Sequence, residues 1–158
     1  MSRIMVVIGI AVVALAVAAC GGSSGGGAYG GSTASHTSGK GSVALASTKL
    51  GKVLVDGNGR TLYLFEADKG TMSNCDGSCA GEWPPLTSSG KPTAGAGVVA
   101  SKLGTAKRAD GTTGVTYAGH PLYTYAGDGA PGQTAGEGLT DYGAPWYALS
   151  AAGKTVVG

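Results

Sequence analysis

Charge is scarce in this sequence. Lysine and arginine number 11 and aspartate and glutamate 9, so charged residues fall well below the roughly one-quarter usual in globular domains. Nowhere do Lys and Arg cluster into a stripe that could follow a phosphate backbone, which excludes nucleic acid as a partner class. Histidine is almost as rare, with two in the chain, and only His120 lies beyond residue 42. A metalloprotease helix, a second-histidine metal site and a Ser-His-Asp arrangement lack their parts. The segment 43–158 holds no Gly-x-Ser-x-Gly, and Gly57-Asn58-Gly59 lacks the glycine spacing and βαβ setting of a nucleotide fingerprint. The expectation is a non-enzyme. No apolar run reaches the 18 or so residues of a membrane span either. What abounds is glycine, 31 of 158 residues, which disfavours helix interiors and favours turns; the expected architecture is all-β.

The first apolar run has a specific shape. Met1–Arg3 is a short basic start, Ile4–Val17 is uncharged, and the small pair Ala18-Ala19 precedes Cys20. About 14 apolar residues rise only about 21 Å as a helix, against a hydrocarbon core of about 30 Å. The pattern is that of a signal peptide, residues 1–19. Val17-Ala18-Ala19-Cys20 resembles the lipobox of bacterial lipoproteins. That resemblance implies lipidation of Cys20, a membrane partner through the lipid anchor, and an extracytoplasmic place in the bacterial cell envelope. Residues 20–42, rich in Gly and Ser, form a flexible tether in which Tyr29 and His36 are solvated passengers. About 116 residues, 43–158, remain for one β-rich domain.

Within it, Lys52–Val55 leads through Asp56-Gly57-Asn58-Gly59 into the return strand Thr61–Phe65, a hairpin. Sixty residues later Val115–Tyr117 leads through Ala118-Gly119 into Pro121–Tyr125, a second hairpin. The two copies, about 50–90 and 110–150, superpose Leu62 on Leu122, Tyr63 on Tyr123, Phe65 on Tyr125 and Asp68 on Asp128. Each ends on a tryptophan beside proline, Trp83 or Trp146. Such halves are too small for separate cores, so two tandem antiparallel hairpin modules should form one pseudo-symmetric β domain. Alternation puts Tyr63 and Phe65 on one strand face and Leu62 and Leu64 on the other, so both faces should be covered. A short helix is expected around Ala100–Lys107.

The polar candidates divide between structural and ligand-binding roles. Asp68 and Asp128 follow the strand ends, where an Asx-type turn would tie each carboxylate to backbone N–H; the alternative is that the pair converges to bind a cation or ligand. Cys75 and Cys79, in a turn-rich loop outside the reducing cytoplasm, should form a disulfide. As thiolates, with Met72 or His120 near, they would instead suit Cu(I), giving an extracytoplasmic redox or copper-handling protein. With that exception no cofactor is expected.

Tyr63-Leu64-Phe65-Glu66-Ala67-Asp68 and Tyr123-Thr124-Tyr125-Ala126-Gly127-Asp128 share the pattern Tyr-x-(Phe/Trp/Tyr)-x-x-Asp. With Cys75-x-x-x-Cys79 and Trp83-Pro84-Pro85 they resemble the bacterial secreted-repeat lipoprotein family known by that motif, a family of unknown function. The resemblance implies an envelope protein, a binding or structural module, and carries over no catalytic residue.

Overall fold

The computed structural model describes residues 41–158; the expected signal peptide, Cys20 and nearly all of the expected tether lie outside the described residues. The elements in order are β1 (Ser42–Thr48), β2 (Gly51–Asp56), β3 (Tyr63–Phe65), α1 (Ser78–Glu82), β4 (Thr93–Ala94), a single 3-10 turn (Ala100–Lys102), β5 (Leu103–Lys107), β6 (Thr113–Tyr117), β7 (His120–Pro121), β8 (Thr140–Asp141), β9 (Ala144–Leu149) and β10 (Thr155–Val156). The all-β expectation holds, and the two repeats recur as β1–β2–β3 and β5–β6–β7. Each begins earlier than the sequence suggested. Ser42, assigned to the tether, is buried in β1. The helix expected over Ala100–Lys107 is a correction: after one 3-10 turn the chain runs extended as β5, paired with β6 from Leu103↔Tyr117 to Lys107↔Thr113. Thr105 and the glycines Gly104 and Gly114 suit that ladder better than a helix.

The hairpin turns differ between the copies. In the second, Ala118 and Gly119 both have positive φ, 51° and 88°, and link the antiparallel pair Tyr117↔His120, the two-residue turn whose twist matches its strands. In the first, Asp56 N–H bonds Arg60 O at 2.8 Å and Gly59 N–H returns to Asp56 O at 2.9 Å. This loop is one residue longer. The buried Asp56 carboxylate holds it, accepting from the backbone N–H of Asn58 and Arg60 and from the Arg60 guanidinium.

The repeats meet at one point of near-symmetry. Tyr63 N–H donates to Tyr123 O at 2.8 Å, and Tyr123 N–H returns to Tyr63 O at 3.0 Å. A reciprocal pair between equivalent residues places a pseudo-twofold axis between them. The outer partners obey it: Tyr63 pairs with Ala148 and Tyr123 bridges Pro85, while Glu66 N–H bonds Pro145 O and Ala126 N–H bonds Glu82 O. Each repeat's motif strand thus lies between its mate and a segment carrying a tryptophan.

Alternation along these strands separates two cores, as the leucine and aromatic spacing predicts. Val53, Val55, Tyr63, Phe65, Trp83, Tyr123, Trp146 and the disulfide cysteines pack on one side. Val43, Leu54, Leu62, Leu64, Val115, Tyr117, Leu122 and Leu149 pack on the other. Burial on both faces explains why the motif strands lack the polar alternation of a one-sided sheet.

Candidate functional site

The motif residues assemble around the pseudo-twofold. Trp83 and Trp146 stack on each other with centroids 3.9 Å apart and planes 7° from parallel. Phe65 stacks on the far side of Trp146 at 4.1 Å, and Tyr125 leans on Trp83 at 4.4 Å. Four rings therefore form one column, Phe65–Trp146–Trp83–Tyr125, in which each repeat supplies two. Tyr63 and Tyr123 meet the column edge-on, against Trp83 and Trp146 respectively, the geometry in which a positive ring edge faces a negative face. Gly136 is required here, since a Cβ would sit 2.8 Å from Trp83 Cη2 and 3.0 Å from Tyr63 Cζ.

Both tyrosine hydroxyls cross the repeat boundary. Tyr63 donates to Asp128 Oδ2 at 2.6 Å, and Tyr123 donates to Asp68 Oδ2 at 2.8 Å while lying 2.6 Å from Ser73 Oγ. The other oxygen of each carboxylate serves its own loop: Asp68 Oδ1 accepts from Asn74 N–H and Asp128 Oδ1 from Ala135 N–H, at 2.7 and 2.8 Å. The expected tie of each carboxylate to backbone N–H of its own loop is therefore half of the arrangement, but the Asx-type turn is a correction. The bonded amides lie six and seven residues on, too far for an Asx turn, and the second oxygen latches to the opposite repeat. The two carboxylates are held separately, each by its own partners.

Burial shapes the ionisation of these groups. The Tyr63 phenol is pushed well above its ordinary range, first by burial and then by Asp128 beside it. Tyr123 is raised likewise by burial, with Asp68 adding to it. Asp68 is itself raised by burial, against the opposing pull of the Asn74 N–H and the Tyr123 hydroxyl. Glu137, whose Oε2 accepts from Ala148 N–H at 2.7 Å while Oε1 is buried without a partner among the described residues, is raised for the same reason. A carboxyl whose native pKa is raised binds its proton more tightly folded than unfolded, so its contribution favours folding below the ordinary value. That contribution is lost as pH climbs through the ordinary value toward the raised one. Asp68 and Glu137 thus make the domain lose stability as pH rises from about 4. Urea unfolding across this range should show the fall, flattened in Glu137→Gln. An unchanged slope would mean that Glu137 ionises as freely folded as unfolded.

Cys75 and Cys79 are joined as a disulfide with Cα atoms 5.2 Å apart, and both are buried in the aromatic core. The loop is less irregular than its turn-rich composition implies, since α1 carries Cys79 inward. Both sulfurs are consumed in the bond. Of the remaining candidate copper ligands, Met72 is 69% exposed and His120 opens β7 half-buried. Among the described residues no group of three or more His, Cys, Asp and Glu side chains is arranged to hold a metal.

One buried residue that ties the disulfide loop to the second repeat escaped the sequence reading. Arg108, 7% exposed, sends its guanidinium from the β5–β6 turn into the disulfide loop. It donates to Ser73 Oγ at 2.6 Å, Cys75 O at 2.6 Å and Asp76 Oδ1 at 2.9 Å. The run Lys107-Arg108-Ala109-Asp110, three charges in four residues of an otherwise charge-poor chain, is the only signal that marked it, and Thr48 at the equivalent place in the first repeat hid it from the repeat comparison.

An all-β chain with two copies of one unit, interlocked through tyrosines and carboxylates that cross between them, defines a tandem-repeat domain. The chain belongs to the family described as a secreted repeat of unknown function, whose model matches residues 44–87 and again 104–150. Those spans coincide with β1 through the Trp83-Pro84-Pro85 segment and with β5 through β9. The family places the domain outside the cytoplasm. No curated protein and no solved structure matches the chain significantly.

Proposed function

We propose that the protein is a lipid-anchored, non-enzymatic module of the bacterial cell envelope, held to the membrane through Cys20 and presenting its double-repeat domain as a structural or binding unit. The observation that carries the non-enzymatic part is the internal commitment of the motif. Both tyrosine hydroxyls and all four aspartate oxygens are spent on each other or on loop backbone, and the aromatic rings are spent on packing. A group so placed holds a fold together; it is not poised for proton transfer to a substrate. The lipid anchor rests on the basic start, the short apolar run and Ala18-Ala19-Cys20, together with the secreted character of the family. Two or more acyl chains give a stable anchor without a membrane helix. Copper or redox handling by Cys75, Cys79, Met72 and His120 would first require reduction of a bond buried in the core.

Growth with an alkyne-bearing fatty acid tests the anchor. The native chain should take up label and sediment with membranes, and Cys20→Ala should do neither. Label that persists in Cys20→Ala would overturn lipidation at this residue.

A further inference from the structure

Arg108 has a receiving loop in the first repeat, and the second repeat carries the same kind of loop without an arginine to fill it. The two loops align on the amides that bond the motif carboxylates, Asn74 N–H on Asp68 and Ala135 N–H on Asp128. Ser73 then matches Thr134, Cys75 matches Gly136, Asp76 matches Glu137 and Gly77 matches Gly138. The last match is conformational as well, since both glycines have positive φ, 57° and 71°. In the first repeat the Arg108 guanidinium donates to a hydroxyl, a carbonyl and a carboxylate, those of Ser73, Cys75 and Asp76. The second loop has the same three acceptor types in the same order: the Thr134 hydroxyl, Gly136 O and the Glu137 carboxylate.

The donor is what the second repeat lacks. Where Arg108 follows β5, Ser47 and Thr48 end β1 with short side chains, and Thr48 Oγ1 donates to Gly51 O at 3.1 Å. The other arginine among the described residues, Arg60, is held by Asp56. The consequence shows in the acceptors. Thr134 is 4% exposed, and both its Oγ1 and Glu137 Oε1 are buried without a hydrogen-bond partner among the described residues. Glu137 makes no ion pair there, and Gly136 O accepts a long bond from Leu139 N–H at 3.4 Å, which leaves it a second lone pair. Buried acceptors without donors are costly, a carboxylate oxygen most of all. Against this loop lies a pocket of about 350 Å³, lined by Thr134 and Ala135 together with Lys49, Gly127, Gly132 and Gln133.

We infer that the Thr134–Glu137 loop binds a guanidinium-bearing ligand, which takes the place that Arg108 takes in the first repeat. A guanidinium has five N–H donors in a fixed fork and no acceptor, so it serves a hydroxyl, a carbonyl and a carboxylate together, as Arg108 does. The ligand enters by the pocket, and because Thr134 Oγ1 and Glu137 Oε1 are closed to solvent, both side chains rotate to meet it. Lys49, exposed at the pocket wall, opposes the ligand by its like charge. The inference goes beyond the tethered-module reading and does not depend on lipidation at Cys20.

Ethylguanidinium, which reproduces the end of an arginine side chain, is the probe. It is titrated at millimolar concentration into the ¹⁵N-labelled full-length protein in detergent, with sodium chloride and urea as controls. Saturable shifts are expected at the Ala135, Gly136 and Glu137 amides, with Asn74, Cys75 and Asp76 left in place because Arg108 already fills their loop. Glu137→Gln, which keeps an oxygen for Ala148 N–H, should weaken binding about tenfold, about 1.4 kcal/mol. Lys49→Met should tighten it. N-acetylarginine amide then separates the sources: binding alongside ethylguanidinium assigns the site to arginine side chains, and failure where ethylguanidinium binds assigns it to a small free guanidine. No saturation at Ala135–Glu137, equal shifts with sodium chloride or urea, or undiminished binding in Glu137→Gln would each overturn the assignment. Saturation confined to Lys49→Met would also overturn it, by making Lys49 the cation that fills the loop.

Discussion

Replacing Trp146 by alanine should lower the stability of the whole domain by about 3–5 kcal/mol, the range for removing a large buried aromatic, and should do so for both repeats at once. Trp146 is fully buried, and its ring is the only surface that Phe65 and Trp83 share within the aromatic column. Removing it opens a cavity between side chains of different repeats, and neither half can close that cavity without moving the other. Trp83→Ala should cost a similar amount. The double replacement should cost less than the sum, because each single variant already abolishes the Trp–Trp stack. Denaturant unfolding followed by far-ultraviolet circular dichroism measures these costs. A loss below about 1 kcal/mol, or two separated transitions in which one repeat survives, would mean that the column does not join the halves.

The second large effect is expected at the cross-repeat bonds. Asp128→Ala deprives the buried Tyr63 hydroxyl and the Ala135 N–H of their acceptor together, and should cost about 3 kcal/mol. Tyr63→Phe removes the donor and leaves a carboxylate still bonded to Ala135, so it should cost about 1–2 kcal/mol. A double-mutant cycle isolates the pair, and a bond to a charged acceptor predicts a coupling of about 1.5–3 kcal/mol. The equivalent cycle on Tyr123 and Asp68 should give a smaller coupling, because the Tyr123 hydroxyl also has Ser73 beside it. Coupling near zero in both cycles would reduce the hydroxyls to bystanders of ring packing.

Much of this arrangement was legible in the sequence because it depends on period and alternation. The sixty-residue repeat, the hairpin turns, the two-faced motif strands and the nearby cysteine pair follow from spacing, and the structure has them. What spacing does not carry is the partner of a polar group. Asp68 and Asp128 sit where a local turn would use them, and their local bonds hide the more consequential ones, which span 55 and 65 residues. Strand β1 was missed because Ser42–Thr48 follows a Gly/Ser-rich stretch and alternates weakly. Its hydrogen bonds to β2 and the burial of Val43 decide the matter instead. The helix expected over Ala100–Lys107 failed for a related reason, since alanine favours helix locally but pairing with β6 overrides that preference. Arg108 was invisible because its importance lies in a loop 32 or more positions away.

Amide hydrogen exchange of Tyr63→Phe, compared residue by residue with the native protein, tests the central claim most directly: the repeated tyrosine acts on the opposite repeat. The account predicts loss of protection at Ala135 and its neighbours in the second repeat, with Asn74 in the first repeat unchanged. Tyr123→Phe should do the reverse. Loss confined to the loop of the substituted repeat would contradict the cross-repeat latch and return the motif to two independent local turns.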